Sequence, residues 1–169
     1  MKETVVILLV LLISGQVFAQ ERNDEADSLL FEGMNSLGSD NLKSAYEKLS
    51  SARLIYHETG NSKGEYLCLT KMAFCAKECN DSVLNTQVHE AMTNLADSIY
   101  DVGRNYCMNR RYKLACDKFS EAKLLYKYMK KPEYEYYCLC IMSLCAIKSN
   151  DTSSAIKYYN KALELANSI

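Results

Sequence analysis

An all-α fold, made of helices that pack as antiparallel pairs, is what this sequence predicts, and three observations lead to it. Helix breakers are scarce: the 169 residues hold one Pro and six Gly beside 49% hydrophobic residues, so few points force the backbone out of a helix. Small and large apolar side chains recur at helical spacing, in Leu42, Ala45, Leu49 and Ala52 and again in Ala115, Phe119 and Ala122, which puts each set on one face. The chain also repeats itself. Shifting residues 26–95 by 70 lays them on 96–165 without a gap and gives about 22 identities, a unit that two helix pairs of about 35 residues each would fill.

Residues 1–19 stand apart. Lys2 precedes the unbroken apolar run from Val5 to Ile13, and Val17 and Ala19 are small residues at the spacing a cleavage site needs, the pattern of a signal peptide. The run falls well short of the roughly 20 residues that span a bilayer as a helix, so a cleaved signal and a periplasmic or secreted chain are expected. From Gln20 to Glu25 the chain is polar and charged, and a flexible lead-in is expected there. The repeat domain is expected over residues 26–169.

The first helix opens at Ala26, Asp27 and Ser28, carries Leu29 and Gly33 on one face, and ends at the turn residues Gly38 to Asn41. Its partner runs from Leu42 to about Glu58, where Thr59, Gly60 and Asn61 stop it. A third helix from about Lys63 to Cys79 buries Tyr66, Leu69, Met72 and Ala73, and Asn80, Asp81 and Ser82 supply a turn and an N-cap. In the fourth, Val83 to Thr93, His89 and Met92 stand where other helices place an aromatic residue and Ala. This helix is either degenerate or shifted by one residue, and its join to the next at Asn94 and Leu95 is short. Helices over Ala96 to Asn109 and Tyr112 to about Tyr128 follow, closed by Lys130, Lys131 and Pro132. Glu133 to Ser149 and a final helix with Ala155, Tyr159 and Ala162 inward complete the chain.

The halves match at particular residues. Ala26, Asp27 and Ser28 meet Ala96, Asp97 and Ser98; Tyr56 meets Tyr126; Glu65, Cys68 and Cys75 meet Glu135, Cys138 and Cys145. Within the second half, the run Ile99, Val102, Gly103 and Tyr106, followed by Tyr112, Ala115, Phe119 and Ala122, resembles the tetratricopeptide repeat pattern W-x2-L-G-x2-Y then A-x3-F. It departs at Ile99, where that family has Trp, and at Pro132, about five residues beyond the family's terminal Pro. The resemblance implies a right-handed solenoid of antiparallel helix pairs, about four motifs in two tandem 70-residue units. Gly103 and Ala115 would let two helices approach to roughly 8–10 Å.

In that family the concave groove is lined by the first helix of each motif, at positions flanking the packing residues. The resemblance therefore implies partner contacts at Leu30 and Met34; at Thr70, Phe74 and Lys77; at Tyr100 and Arg104; and at Tyr137, Leu144 and Lys148. Such a mixed aromatic, aliphatic and cationic lining suits a peptide. One branch of the family clamps a peptide's terminal carboxylate with Lys and Asn, but the matching positions here hold Leu30, Met34, Tyr100 and Arg104, which points away from that mode.

Charge excludes other classes. Twenty basic against 21 acidic residues leave no electrostatic footprint for nucleic acid or an acidic membrane. No hydrolase, zinc-protease or P-loop signature is present, and His57 and His89 lack an evident acid or nucleophile partner, so no enzyme and no cofactor is expected. His57 at a helix end suits the C-terminal dipole, and His89 is expected in the core or an interface. The eight cysteines admit three accounts: buried small apolar residues, as the paired spacing of Cys68 with Cys75 and Cys138 with Cys145 suggests; disulfides; or a metal site lacking any paired C-x2-C knuckle.

The function expected is an exported scaffold that binds a protein or peptide partner. The alternatives are a sensory or input segment of a membrane-bound regulator, against which the lack of a second apolar run speaks, and a small hydrolase or metal protein built on the cysteines. Apolar residues among Ile156, Leu163 and Ile169 on the final helix are expected to be exposed, which implies either end-to-end self-association or a shortened version of a longer array.

Overall fold

The local signals for stopping and restarting a helix are what divide this chain. In the computed structural model, which describes residues 2–39 and 41–169 and their side chains from Gly15 onward, seven helices follow one another: α1 Lys2–Gly38, α2 Leu42–Thr59, α3 Ser62–Glu78, α4 Ser82–Met108, α5 Tyr112–Tyr128, α6 Pro132–Lys148 and α7 Thr152–Ala166. Among the described residues there is no strand. Helices adjacent in sequence pack on one another, α1 with α2, α2 with α3, α5 with α6 and α6 with α7. The chain divides into two compact units, Met1–Val88 and His89–Ile169.

One turn design recurs. A single residue in the left-handed region ends α2 to α6: Gly60 at φ 71°, Asn80 at 53°, Arg110 at 58°, Lys130 at 54° and Asn150 at 59°. The amide after it donates back to the carbonyl five residues earlier, as in Asn61 to Tyr56, Asp81 to Ala76, Arg111 to Tyr106, Lys131 to Tyr126 and Asp151 to Ala146, which satisfies a carbonyl the helix leaves open. That residue then starts the next helix. The side chains of Asn61, Asp81 and Asp151 accept from the amides of Gly64, Leu84 and Ser154, whereas Arg111 and Lys131 make no such bond. At α6 Pro132 occupies the first turn, where its fixed φ suits a helix start and its missing N–H costs nothing.

In the first unit Ala26, Ala52, Ile55, Tyr56 and Cys68 form a buried cluster with Leu29 and Leu30 against it. A Cβ built on Gly33 would lie 2.9 Å from Leu49 Cγ, so the absence of a side chain is what lets α1 and α2 approach there. In the second unit Gly103 plays that part toward Phe119, 3.1 Å from its imagined Cβ, and Tyr100 meets the same ring edge-on with centroids 5.1 Å apart. Ser143, buried on α6, donates to the Ala155 carbonyl of α7 at 2.9 Å.

Four expectations differ from this structure. Gln20 to Glu25, expected as a flexible lead-in, belongs to α1; Arg22 reaches Glu58 at 2.8 Å and Asn23 accepts from Thr59 at 3.0 Å. No join exists at Asn94 and Leu95, because α4 runs unbroken. No Gly, Pro or left-handed residue falls there to stop it, and Val88, Met92, Ala96, Ile99 and Gly103 form one buried stripe through the point. Eight expected helices are thus seven. His89, expected in the core or an interface, is exposed, while Val88 beside it and Met92 are buried. Tyr159, expected inward, is 56% exposed, while Ala155 and Ala162 are the buried residues of α7. The apolar run of the expected signal peptide lies outside the described side chains. Among the described residues no helix is long and apolar enough to cross a membrane.

Candidate functional site

Each unit contains a tyrosine fastened to an aspartate 29 residues earlier. The Tyr56 hydroxyl on α2 donates to Asp27 on α1, and the Tyr126 hydroxyl on α5 donates to Asp97 on α4 at 2.7 Å. Both rings are buried and both aspartates exposed, so an apolar body sits in the core and a polar tip reaches the rim. Burial first, and then donation to the carboxylate, push both phenols well above their usual range.

Around Tyr126 this latch opens into a cleft of about 320 Å³ lined by Asp97, Tyr100 and Asp101 of α4, Tyr126 of α5, and Tyr134 and Tyr137 of α6. Positions 97, 100 and 101 share one helical face, as do 134 and 137, because residues three and four apart are neighbours on a helix. The Tyr134 ring stacks on Tyr126 with centroids 5.0 Å apart and 28° between planes. Tyr137 meets Tyr136 edge-on at 5.8 Å. Burial raises the Tyr100 phenol, and the side chains of Asp97 and Asp101 line the cleft beside it. Two cations stand at its margin: Arg104, 3.5 Å from Asp101 with both side chains exposed, and Lys131, whose Nζ lies 5.8 Å from the Tyr134 ring centre and donates to Thr93.

Of the residues implied by the resemblance, the structure brings Tyr100 and Tyr137 together in this cleft with Arg104 beside it. Leu144 and Lys148 are exposed farther along α6. In the first unit Leu30 packs against the core cluster, Met34, Phe74 and Lys77 are exposed, and Thr70 is half-buried with its hydroxyl on the Leu67 carbonyl. The resemblance missed Asp97, Asp101, Tyr126 and Tyr134. Only Asp97 and Tyr126 carried a signal, their identity with Asp27 and Tyr56.

Four cysteines, Cys68, Cys75, Cys138 and Cys145, are buried; Cys107, Cys116 and Cys140 are half-buried; Cys79 is exposed. Burial pushes the Cys68 and Cys138 thiols up to about 12. In the second unit three thiols converge. Cys107 Sγ lies 3.0 Å from Cys145 Sγ, and Cys116 donates to the Met142 carbonyl. A hydrogen bond with Cys116, together with burial, holds the Cys145 thiol above its usual range. Among the described residues no group of three or more His, Cys, Asp or Glu is placed to hold a metal ion. His57, 70% exposed, contacts buried Glu65 at 3.1 Å, and Arg53 lies 3.8 Å from the same carboxylate. No protein-family model matches the chain, and no curated protein matches it.

Proposed function

We propose that this chain is an exported tetratricopeptide-type solenoid that binds a peptide segment of a partner protein, with the tyrosine cleft of the second unit as its anchoring point. The observation that carries the reading is that Tyr100 and Tyr137, on two different helices, line one cleft with Tyr126 and Tyr134. Aromatic residues dominate binding energy in such surfaces because they bury much area at little entropic cost. Export is supported by the charged, apolar and small-residue order of residues 1–19. Self-association through α7 belongs to the same reading, supported by the exposed stripe Ile156, Tyr159 and Leu163; light scattering over a concentration series, on wild type and on Ile156→Lys with Leu163→Lys, tests it.

Selection of random peptides on the purified protein, followed by titration calorimetry of the enriched sequences, tests the peptide reading. The double variant Tyr100→Ala, Arg104→Ala is expected to bind them at least about tenfold more weakly while its circular dichroism is unchanged. Failure to enrich any peptide would end the scaffold reading. Equal binding by the variant would move the site to another face.

A further inference from the structure

We infer that the cleft of the second unit takes the guanidinium of an arginine side chain from the bound peptide, held between the Tyr100, Tyr134 and Tyr137 rings and paired with Asp101 and Asp97; this rests on the peptide-binding reading above. Four phenols and two carboxylates make up the lining and no cation belongs to it. The faces of aromatic rings are negative and attract cations, and the adjacent carboxylates add a full charge. The volume of about 320 Å³ fits a side-chain head group with its stem and falls at the small end of ligand sites.

The rim already draws positive charge from the protein's own chain. Lys131 stands over Tyr134 and Arg104 against Asp101. Neither closes the site: Lys131 is engaged by Thr93, and the Arg104 to Asp101 pair is exposed on both sides, a kind of contact that a ligand displaces at little cost. The Tyr126 hydroxyl donates to Oδ1 of Asp97. Tyr134 and Tyr137, 50% and 56% exposed, offer the open ring surface, since Tyr126 is covered by Tyr134.

Arginine fits better than lysine for a geometric reason. A planar guanidinium stacks flat on a phenol while its edge donates in parallel to a carboxylate, whereas an ammonium is a compact, strongly hydrated point charge. The corresponding place in the first unit has Leu30, Phe31, Gly64 and Leu67 for Tyr100, Asp101, Tyr134 and Tyr137. It keeps Asp27 and Tyr56 but offers no phenol rim and no second carboxylate, so the site is assigned to one unit only.

The test uses the whole chain and three capped pentapeptides, Gly-Gly-X-Gly-Gly, with X as arginine, citrulline or lysine, followed by tyrosine-ring NMR. Citrulline keeps the shape of arginine and removes its charge. The arginine peptide is expected to shift the Tyr100, Tyr134 and Tyr137 resonances and to bind at least about fivefold more tightly than the citrulline peptide. Asp101→Asn and Tyr137→Ala, both at exposed positions, are each expected to lower that affinity by about threefold or more with unchanged thermal unfolding. Equal binding of citrulline, shifts confined to other tyrosines, or no binding of the arginine peptide would each overturn the assignment. If selected peptides still bind in that case, the scaffold reading stands without the arginine site; if they do not bind either, both fall.

Discussion

The surroundings of Tyr56 and of Tyr126 are the same device finished in two ways. Both units keep the aspartate that accepts the phenol, the buried cysteine beneath it (Cys68 or Cys138) and the acidic residue that opens the following helix (Glu65 or Glu135). What has diverged lies on the rim. In the first unit the first turn of α3 holds Gly64, and a Cβ there would fall 2.5 Å from Tyr56 Cδ1; in the second, Tyr134 stacks its ring on Tyr126. The shared residues hold helix against helix, and the variable ones decide what the surface presents. The same split recurs away from the tyrosines, since Leu37, Tyr46 and Cys75 correspond to Cys107, Cys116 and Cys145.

That last difference gives the largest expected effect. Oxidation with a small disulfide such as oxidised glutathione is expected to join Cys107 to Cys145, the two thiols giving up two protons and two electrons while the reagent is reduced to two thiols. Closing a loop of 38 residues restricts the unfolded chain by about 3–4 kcal/mol on a chain-entropy account. Urea unfolding of oxidised wild type against Cys107→Ser reads it out. A link formed instead to Cys116, or no gain in stability, would count against the pairing.

Next comes the contact that separates the two tyrosine sites. Gly64→Ala is expected to destabilise by about 1–3 kcal/mol, because the added methyl meets a ring that its hydrogen bond and full burial prevent from moving. Tyr134→Gly removes a half-exposed ring and is expected to cost no more than about 1 kcal/mol, mostly through helix propensity. Equal losses in thermal unfolding would mean that the two sites are built alike.

The shared part of the device sets an alkaline limit. Cys68 and Cys138 have folded pKa values raised from 9.0 to about 12 by burial, and Tyr56 and Tyr126 are raised as well. Raised acids favour the protonated, folded form, so their contribution is fully present below the unfolded pKa and is lost as pH climbs through the folded one. Stability is therefore expected to hold up to about pH 9 and to fall from there toward about 12, which urea midpoints measured against pH would trace. Cys68→Ala and Cys138→Ala should each flatten the fall. A flat profile in wild type would show that neither thiol is desolvated.

The smallest effect concerns corresponding turn positions, Gly60 and Lys130, both left-handed at φ 71° and 54°. Lys130→Gly is expected to stabilise by roughly 0.5–1 kcal/mol and Gly60→Lys to destabilise by a similar amount, since a side chain is disfavoured in that conformation. Differential scanning calorimetry of the two exchanges would resolve the sign.

What depends on near neighbours could be read from the residues alone. Helix ends at Gly38, Thr59, Met108, Tyr128 and Lys148 were legible because caps and left-handed turns involve residues within five positions of one another. So was the doubling of the halves, including the match of Asp27 with Asp97 and of Tyr56 with Tyr126. Two members of the cleft, Tyr100 and Tyr137, were named through the resemblance, without a sign that they would meet. The tertiary structure decided the rest. It made α4 one helix, since a short polar point at Asn94 yields to a buried stripe that continues through it, and it left Tyr159 outside while Ala155 and Ala162 are buried. It also joined Tyr134 and Asp101 to the cleft and Cys107 to Cys145. These contacts link residues some 30 to 40 positions apart, and helical periodicity fixes only which face a side chain occupies, while the packing of neighbouring helices fixes what that face meets.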